Sequence, residues 1–278
     1  MLKKLIKQAF RLPLTVTQRV DMKTFEQLAT WRLQRQSLGT QTTIGFVPTM
    51  GNLHQGHLSL FEKSRHENDL TVGSIFVNPT QFNQQEDFLN YPNTISKDLQ
   101  YLKELGVDFC LMPKPAEIYA DNYRFQITEN DISLNMEGKQ RPGHFTGVLT
   151  IVMKLLQIVK PHKTYLGQKD YQQAQLIQNM VDAFFMDIEV ITCKTIREKS
   201  GLACSSRNNR LNTDERKLAN QFAQIFHGSA DILAMKKAML ALGIEVEYIE
   251  EHDNHRFVAV KIGNIRLIDN YRLTDEKP

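Results

Sequence analysis

A short turn with two glycines and two histidines is the part of the sequence best suited to chemistry. Residues 50–57 read Met-Gly-Asn-Leu-His-Gln-Gly-His, so His54 and His57 are three positions apart. In the first turn of a helix, this spacing places both imidazoles on one side. Imidazoles there can donate to phosphate oxygens and to the charge that grows on them during phosphoryl or nucleotidyl transfer. The turn predicts a phosphate site, although spacing alone leaves an ordinary loop equally open.

The segments on either side of this turn indicate a strand, a turn and a helix. Residues 43–49 form a short apolar run bounded by turn residues, which is typical of a buried strand, and residues 58–65 have helical composition. Glycines in such a turn allow a ligand to approach the backbone, and the helix start offers N–H groups and a positive dipole end. A Walker loop is excluded because no Gly-Lys-Ser/Thr follows, and no third ligand stands at zinc spacing.

Two later segments also carry residue types that bind phosphate. Residues 167–173 open a second helix with a glycine, and Lys169 could neutralise phosphate while Asp170 could hold a metal or orient a hydroxyl. Residues 197–208 combine two arginines, a lysine, adjacent hydroxyls and a glycine, and Arg207 could contact phosphates in bidentate fashion. Taken alone, charges such as Lys169 and Asp170 are usually solvated first-turn charges, and residues 197–208 could equally be a flexible polar connector.

Neutral amides follow the second apolar run, residues 70–77. Asn78 and Gln81 can both donate and accept hydrogen bonds, which suits a small hydroxy acid better than a phosphate. In open α/β sheets, ligands bind beyond the carboxyl ends of strands, where these amides would lie. A plain Asn-Pro turn is the alternative.

Strands alternate with helices along most of the chain, which predicts a Rossmann-like parallel sheet with helices on both faces, followed by a small α+β C-terminal domain. We expect an N-terminal extension (1–23), a Rossmann-like domain (24–200) and a small C-terminal lid domain (201–278). Within this pattern we predict a helix at 24–36, a strand at 125–127 and a loop at 137–147.

Composition narrows the function classes. The 278 residues carry 34 basic and 31 acidic side chains, a net charge of +3 that is too small to indicate a nucleic-acid partner. Cys110, Cys193 and Cys204 are widely spaced and odd in number, which fits a reducing cytoplasm. No apolar run reaches the ~18 residues of a membrane helix. The basic amphipathic N-terminus favours an extension over a membrane-surface helix.

The string Val-Pro-Thr-Met-Gly-Asn-Leu-His-Gln-Gly-His resembles the pantothenate synthetase (pantoate–β-alanine ligase) family of His-x-Gly-His nucleotidyltransferases. Further strings up to residue 208, and Leu-Ile-Asp-Asn at 267–270, are similar to the same family. The resemblance implies condensation of pantoate with β-alanine, using ATP and Mg²⁺, within the coenzyme A pathway. It also implies an enzyme-bound pantoyl adenylate, release of pyrophosphate and then AMP, and a homodimer.

The same resemblance assigns roles to individual positions. It places His57 at the family's general-acid position and gives His54, Lys169 and Arg207 to the catalytic set. Gln81 and Gln173 match the positions that hold pantoate, Gln81 also faces β-alanine, and Asn78 is a further substrate-site candidate. The positions that match ATP contacts are Met50, Gly51, Asn52, Leu53, His54, Gln55, Gly56, His57, Gly167, Gln168, Lys169, Asp170, Ile196, Cys204, Ser205, Ser206 and Arg207.

Three departures from the family pattern bear on ATP or metal affinity and on closure of the site. Gln168 replaces a glutamate, Ser200 replaces an aspartate, and the region after Asn208 is shorter than expected. Two functions remain as alternatives to the ligase: another His-x-Gly-His nucleotidyltransferase, or a non-catalytic nucleotide-binding relative.

Overall fold

The computed structural model describes residues 21–83 and 88–273, so most of the predicted N-terminal extension lies outside the described residues. Its strands form two separate sheets. The strands are β1 (Lys23–Phe25), β2 (Ile44–Thr49), β3 (Leu70–Ile75), β4 (Phe109–Leu111), β5 (Lys163–Gly167), β6 (Glu189–Cys193), β7 (Glu245–His252), β8 (His255–Ile262) and β9 (Ile265–Arg272). A parallel six-stranded sheet has the order β1-β4-β3-β2-β5-β6, and β7-β8-β9 form an antiparallel sheet. The predicted fold class is confirmed.

Helices cover both faces of the parallel sheet. The helices of the described chain are α1 (Leu28–Ser37), α2 (Gln55–Glu67), α3 (Ile95–Leu105), α4 (Pro115–Ile118), α5 (Met136–Gln140), α6 (His144–Val159), α7 (Tyr171–Ala183), α8 (Thr213–Phe226) and α9 (Ile232–Ala241), of which α8 and α9 pack against the antiparallel sheet instead. Phe46 packs in a core with residues of α1, α6 and α7, whereas its neighbour Val47 packs in another core with residues of α2 and α3. Because successive side chains of a strand point to opposite faces, a strand buried on both faces shows an unbroken apolar run.

The sheet order brings three predicted segments together. β2 lies between β3 and β5, and all three strands are parallel. The histidine turn follows β2, the Asn78 segment follows β3, and the Gln168–Asp170 turn follows β5. All three therefore emerge at one edge of the sheet, where ligands bind in this class of fold.

Three local predictions were wrong. The predicted helix at 24–36 begins only at Leu28, because Lys23–Phe25 pairs in parallel with Phe109–Leu111. Residues 125–127 form no strand: the Phe125 side chain is exposed, and the Ile127 amide instead donates to the Thr150 hydroxyl.

The predicted loop at 137–147 is largely helical. It contains α5 and the start of α6, separated by Gly143, whose φ of 81° is accessible to glycine at little cost. The glycines suggested a loop, but Gly147 serves close packing instead. A Cβ there would lie 2.3 Å from the Thr80 carbonyl oxygen, so α6 can approach the Pro79–Gln81 turn only with glycine at this position.

The antiparallel sheet packs against α8 and α9 and contacts the larger sheet's helices through a buried ion pair. Arg266 on β9 donates to both carboxylate oxygens of Glu137 on α5, at 2.7 and 2.6 Å, and Tyr248 on β7 donates to the same group. The predicted domain boundaries themselves stay a prediction. Within the two described stretches of chain, no helix combines the length and apolar character required to cross a membrane.

Candidate active site

A cavity of about 370 Å³ opens at the carboxyl ends of β2, β3 and β5. Side chains from α5, α6, β7, β8 and β9 complete its wall. The residues of the sequence-based site that line it are Met50, Asn52, His54, His57, Gln81, Lys169, Asp170, Gln173, Ser205, Ser206 and Arg207. Four segments that are far apart in sequence are thus brought to one chamber.

The other residues of the sequence-based site do not line this cavity. They are Gly51, Leu53, Gln55, Gly56, Asn78, Gly167, Gln168, Ile196 and Cys204. Leu53 is buried, and its amide donates to a carboxylate behind the turn. Ile196 is 36% exposed on the segment after β6. Leu53 therefore lies behind the cavity wall.

The two histidine rings lie side by side, with centroids 4.0 Å apart. The Gly56 amide donates to His54 Nδ1 at 3.1 Å, and the His54 amide donates to His57 Nδ1 at 3.4 Å, so the two side chains cap α2. Since both Nδ1 atoms accept, each neutral ring carries its proton on Nε2. The helix cap and the ligand-facing donors are therefore parts of one arrangement.

Both imidazoles are neutral at physiological pH. Burial and the nearby Lys169 ammonium lower the pKa of His54 to about 4, and burial together with His54 lowers the pKa of His57 well below its ordinary value. A neutral imidazole donates its Nε2–H in a hydrogen bond but is too weak an acid to give that proton up, so His57 suits donation to developing charge better than general-acid catalysis.

Asp98 on α3 holds the histidine turn in place, and sequence reasoning missed it. Its buried carboxylate accepts from the amides of Asn52 and Leu53 at 2.8 and 2.9 Å and from the Thr94 hydroxyl at 2.9 Å. The turn needs this support because Gly51 and Asn52 have positive φ angles of 78° and 50°. The contact spans 46 residues, and no local motif marks it.

We predict that Asp98→Asn lowers both stability and ATP use. The amide keeps the shape but turns an NH₂ group toward backbone N–H groups, leaving one buried donor unpaired at a cost of about 1–3 kcal/mol. Thermal unfolding and the KM for ATP would measure the two effects. Asp131→Asn, at an exposed position, is the control. An unchanged KM for ATP in a destabilised Asp98→Asn protein would show that the carboxylate does not position the turn.

Asn78 acts on the cavity through Gln81. It is 1% exposed, its Nδ2 donates to Gln81 Oε1 at 3.0 Å and to the Gly147 carbonyl at 3.2 Å, and its Oδ1 accepts from Tyr119 and Thr80. Gln81 Oε1 is thereby fixed, and its Nε2 is directed to the Met50 sulfur at 3.0 Å. The structure gives Asn78 a supporting position behind the cavity wall.

Cations outnumber anions around the inner part of the cavity. Lys169 Nζ lies 3.2 Å from Asp170, and Arg141 and Arg207 line the same wall. Burial and the neighbouring Arg207 lower the pKa of Arg141 to about 10. Burial alone would raise the pKa of Asp170, but Lys169 and Arg207 hold it below its usual range. This excess of positive charge suits a polyanion.

The loop that carries Arg207 is fastened to the histidine turn. Ser206 Oγ donates to the Asn52 carbonyl at 2.9 Å, a contact between positions 154 residues apart. The Asn52 side-chain Nδ2 is buried and has no hydrogen-bond partner within the described chain, and Asn52 lines the cavity. A buried donor of this kind is satisfied when a bound ligand supplies the acceptor.

His144 is a further buried histidine at the cavity wall. Arg141 donates to its Nε2 at 3.0 Å, so Nδ1 carries the proton and donates to the Gln81 carbonyl at 2.8 Å. Burial and Arg141 lower the pKa of His144 to about 4. This residue was not predicted from the sequence as part of the site, although Arg141 and His144 lie only three positions apart.

We predict that thermal stability falls as the pH drops from about 6.5 toward about 4. The pKa values of His54 and His144 are lowered in the folded chain, so the unfolded chain binds protons there that the folded chain does not. Unfolding temperatures measured at several pH values would show the slope. His144→Asn should flatten it, whereas His66→Asn, at an exposed position of α2, should not. Equal slopes in the two variants would contradict the prediction.

Comparisons with known proteins agree with one another. The family model described as pantoate-beta-alanine ligase matches residues 21–272. The chain is 58% identical to a pantothenate synthetase of Legionella pneumophila over 252 residues, which are 91% of this chain and 100% of the relative. It is 48% identical to a pantothenate synthetase of Coxiella burnetii over 255 residues, covering 92% of this chain and 98% of that one.

Solved structures show the same likeness. A pantoate-beta-alanine ligase from Francisella tularensis, complexed with beta-gamma ATP and beta-alanine, superposes with a TM-score of 0.89 at 42% identity. It covers 92% of this chain and 100% of its own. A pantothenate synthetase from Thermus thermophilus gives a TM-score of 0.82 at 33% identity, covering 91% and 100%. Because these relatives are matched along their whole lengths, the C-terminal region is not shortened relative to them.

Proposed function

The chain belongs to the pantoate–β-alanine ligase family, and on that premise we propose that it joins pantoate to β-alanine through an enzyme-bound pantoyl adenylate, releasing pyrophosphate and then AMP. The observation that carries this proposal is the shared cavity. Neutral Nε2–H donors of His54 and His57 face the same chamber as Lys169 and Arg207, and the amides of Gln81 and Gln173 line it as well.

The first step explains why the cavity needs donors and cations. A carboxylate resists attack by an amine because its leaving group would be oxide. Attack of the pantoate carboxylate on the α-phosphorus of ATP forms a C–O–P linkage and breaks the bond to pyrophosphate. Negative charge then gathers on the α-phosphate and on the departing pyrophosphate. Fixed donors at these places lower the barrier, and one such donor is worth about 3–4 kcal/mol.

We assign the histidine turn to the nucleotide and the amides to pantoate. The start of α2 supplies N–H groups and dipole, and the two imidazoles add their Nε2–H donors. Gln81, held by Asn78, and Gln173 offer amide groups for the hydroxyls and carboxylate of pantoate. Arg141, another cation of the cavity wall, donates to the Gln81 carbonyl and suits the carboxylate of β-alanine.

The second step requires position more than acid or base strength. The neutral amine of β-alanine attacks the pantoyl carbonyl carbon, a C–N bond forms, AMP leaves with the electrons of the C–O bond, and the amine nitrogen releases one proton to solvent. Holding the amine against the mixed anhydride replaces a bimolecular encounter by a local one. Exclusion of water prevents loss of the adenylate to hydrolysis. The C-terminal sheet contributes Glu247, Lys261 and Arg266 to the cavity wall and so helps to enclose it.

Magnesium fits this cavity as a companion of the nucleotide. No group of three metal-ligating side chains is present among residues 21–83 and 88–273, so a dedicated protein cage is absent there. Mg²⁺ binds through substrate phosphates and one or two carboxylates, and the Asp170 carboxylate at the cavity wall can supply one. When bound, the ion neutralises charge on the phosphates. Asp170 could instead orient a ligand hydroxyl.

Further parts of the proposal come from the family. We propose a homodimer in the cytoplasm, and a lid formed by residues 201–278 over a nucleotide- and pantoate-binding domain formed by residues 24–200. Sedimentation at several protein concentrations tests the dimer. Limited proteolysis with and without ATP tests whether the lid is a separate unit.

Isotope exchange separates the proposed mechanism from its rivals. With pantoate, ATP and Mg²⁺ but no β-alanine, labelled pyrophosphate should exchange into ATP, and added β-alanine should release AMP and form pantothenate. No exchange together with full pantothenate formation would exclude an enzyme-bound adenylate that forms before β-alanine binds. Exchange supported by nicotinamide mononucleotide or phosphopantetheine, and not by pantoate, would indicate another nucleotidyltransferase. ATP binding without any reaction would indicate a non-catalytic relative.

We predict that Gln81→Ala impairs the use of pantoate more than the use of ATP. The variant loses an amide held at a fixed orientation, and a hydrogen bond to a charged substrate is worth about 1.5–3 kcal/mol, or about 10- to 100-fold in the KM for pantoate. Initial rates with each substrate varied in turn would show the difference. Gln100→Ala, exposed on α3, is the control. An unchanged KM for pantoate would remove Gln81 from the pantoate site.

A further inference from the structure

The Leu-Ile-Asp-Asn string at 267–270 is similar to the family's sequence but has no role in the chemistry proposed above. The structure places it on β9, far in sequence from the nucleotide segments, with Asp269 3% and Asn270 4% exposed. We propose that Asn270 and Asp269 are positioning residues that fix the two cationic segments of the cavity, the Lys169 turn and the Arg207 loop, from the C-terminal sheet. This inference rests on the proposed function only in naming the bound polyphosphate.

Asn270 holds the Lys169 turn by its backbone. Its side-chain Nδ2 donates to the Gln168 carbonyl at 3.0 Å and to the Lys169 carbonyl at 2.9 Å. These carbonyls belong to the short 3₁₀ turn Gln168–Asp170 that precedes α7. One amide group thus fixes two successive peptide units, and with them the direction in which Lys169 leaves the chain.

Asp269 holds the Arg207 loop through Arg197. Its carboxylate accepts two hydrogen bonds from Arg197, at 2.7 and 3.0 Å, and one from His227 Nε2 at 3.0 Å. Arg197 stands at the start of the loop that ends at Arg207, and it also donates to the Gly201 carbonyl within that loop. The carboxylate is 1% exposed, so its bonds to Arg197 are shielded from water and salt.

The two residues form one unit because they are adjacent. Asp269 Oδ1 also accepts from the Asn270 amide at 2.8 Å, which stiffens the strand at this point. Successive side chains of a strand point to opposite sides, so one strand can hold a different segment on each side. Lys169 and Arg207 both line the cavity, whereas Asp269 and Asn270 line a smaller cavity beside it, and this unit fixes the relative placement of the two cations.

A general loss of stability is the competing explanation for any effect of these residues, and a matched control separates the two. Tyr271 is the next residue on β9, and Tyr271→Phe removes the buried hydrogen bond that its hydroxyl accepts from Arg256 at 2.8 Å. The hydrogen bond between Tyr271 and Arg256 involves neither the Lys169 turn nor the Arg207 loop. Asn270→Ala removes the two donors to the Lys169 turn, and Asn270→Ser, which retains one donor, is the milder variant.

The experiment measures ATP affinity by calorimetry, and then the KM for ATP and for pantoate. We expect Asn270→Ala to weaken ATP binding about tenfold, the loss expected for two neutral hydrogen bonds, with the KM for pantoate within about twofold of its original value. The ATP affinity of Asn270→Ser should lie between those of Asn270→Ala and the unchanged protein. Tyr271→Phe should lower the unfolding temperature without changing ATP affinity. If Asn270→Ala does not fold, the serine variant decides.

Two results would overturn the inference: unchanged ATP affinity in the folded Asn270 variants, or an equal loss of ATP affinity in Tyr271→Phe. Failure of the proposed function is distinguishable, because calorimetry with ATP alone requires no reaction. A wild-type chain that binds ATP but forms no pantothenate would remove the proposed mechanism and leave the role of Asn270 to be decided by binding.

Discussion

Replacing His57 with alanine is expected to lower the rate of pantoate-dependent pyrophosphate release by about 10²–10³-fold, the effect of removing one fixed donor to developing charge. The Nε2–H of His57 lies on the cavity side because its Nδ1 accepts from the His54 amide. Loss of the ring also removes part of the cap of α2, so a small fall in unfolding temperature accompanies the kinetic effect. The KM for ATP should rise less than the rate falls, because the donor acts mainly on charge that develops in the transition state.

Two further variants make this result interpretable. His66→Ala removes an exposed histidine from the same helix and should leave the rate unchanged. His57→Gln keeps an N–H donor of nearly the same length and should recover part of the rate. Undiminished pyrophosphate release by His57→Ala, with the fold intact, would remove His57 from the chemistry. A glutamine variant as slow as alanine would favour a role for the imidazole beyond donation.

Local sequence was sufficient to predict the edge of the sheet at which the candidate active site lies. The histidine turn, the Gln81 turn and the Lys169 turn each follow an apolar run, and parallel strands deliver their carboxyl ends to one edge. Each turn carries its own chemistry in its residue types, so no tertiary information was required to propose it. The family resemblance then indicated which ligand each turn would meet.

The parts that sequence could not supply depend on contacts between distant positions. Asp98 supports a turn 46 residues away, and Asn270 supports carbonyls more than 100 residues away. Their residue types are ordinary for a helix and a strand, and nothing nearby in sequence distinguishes them from solvated polar groups. Asn78 shows the opposite case: its type suggested a ligand contact, but complete burial places it behind Gln81.

Lys169 is the second position at which a substitution is expected to lower the reaction rate strongly, and the reason is its charge. Its Nζ lines the cavity beside Asp170 and Arg207, and its side chain is 15% exposed, so water screens it weakly. In the proposed first step, the departing pyrophosphate brings several negative charges to this place. Removing the ammonium by Lys169→Ala should lower the rate of adenylate formation by about 10²–10³-fold, within the range found when a preorganised electrostatic partner is lost. Quenched-flow measurement of the first turnover would report this step directly.

The alanine variant also leaves Asp170 without its counter-ion, and this second effect must be separated from the first. Asp170 would then be an unpaired carboxylate facing a polyanion, which weakens ATP binding through repulsion. The double variant Lys169→Ala with Asp170→Asn removes that repulsion and should recover ATP affinity without recovering the rate. Lys169→Arg should recover part of both, and Lys103→Ala, at an exposed position of α3, should change neither. If the double variant recovers the full rate, Lys169 serves only to neutralise Asp170, and the charge on pyrophosphate is stabilised by Arg207 and the histidine turn alone.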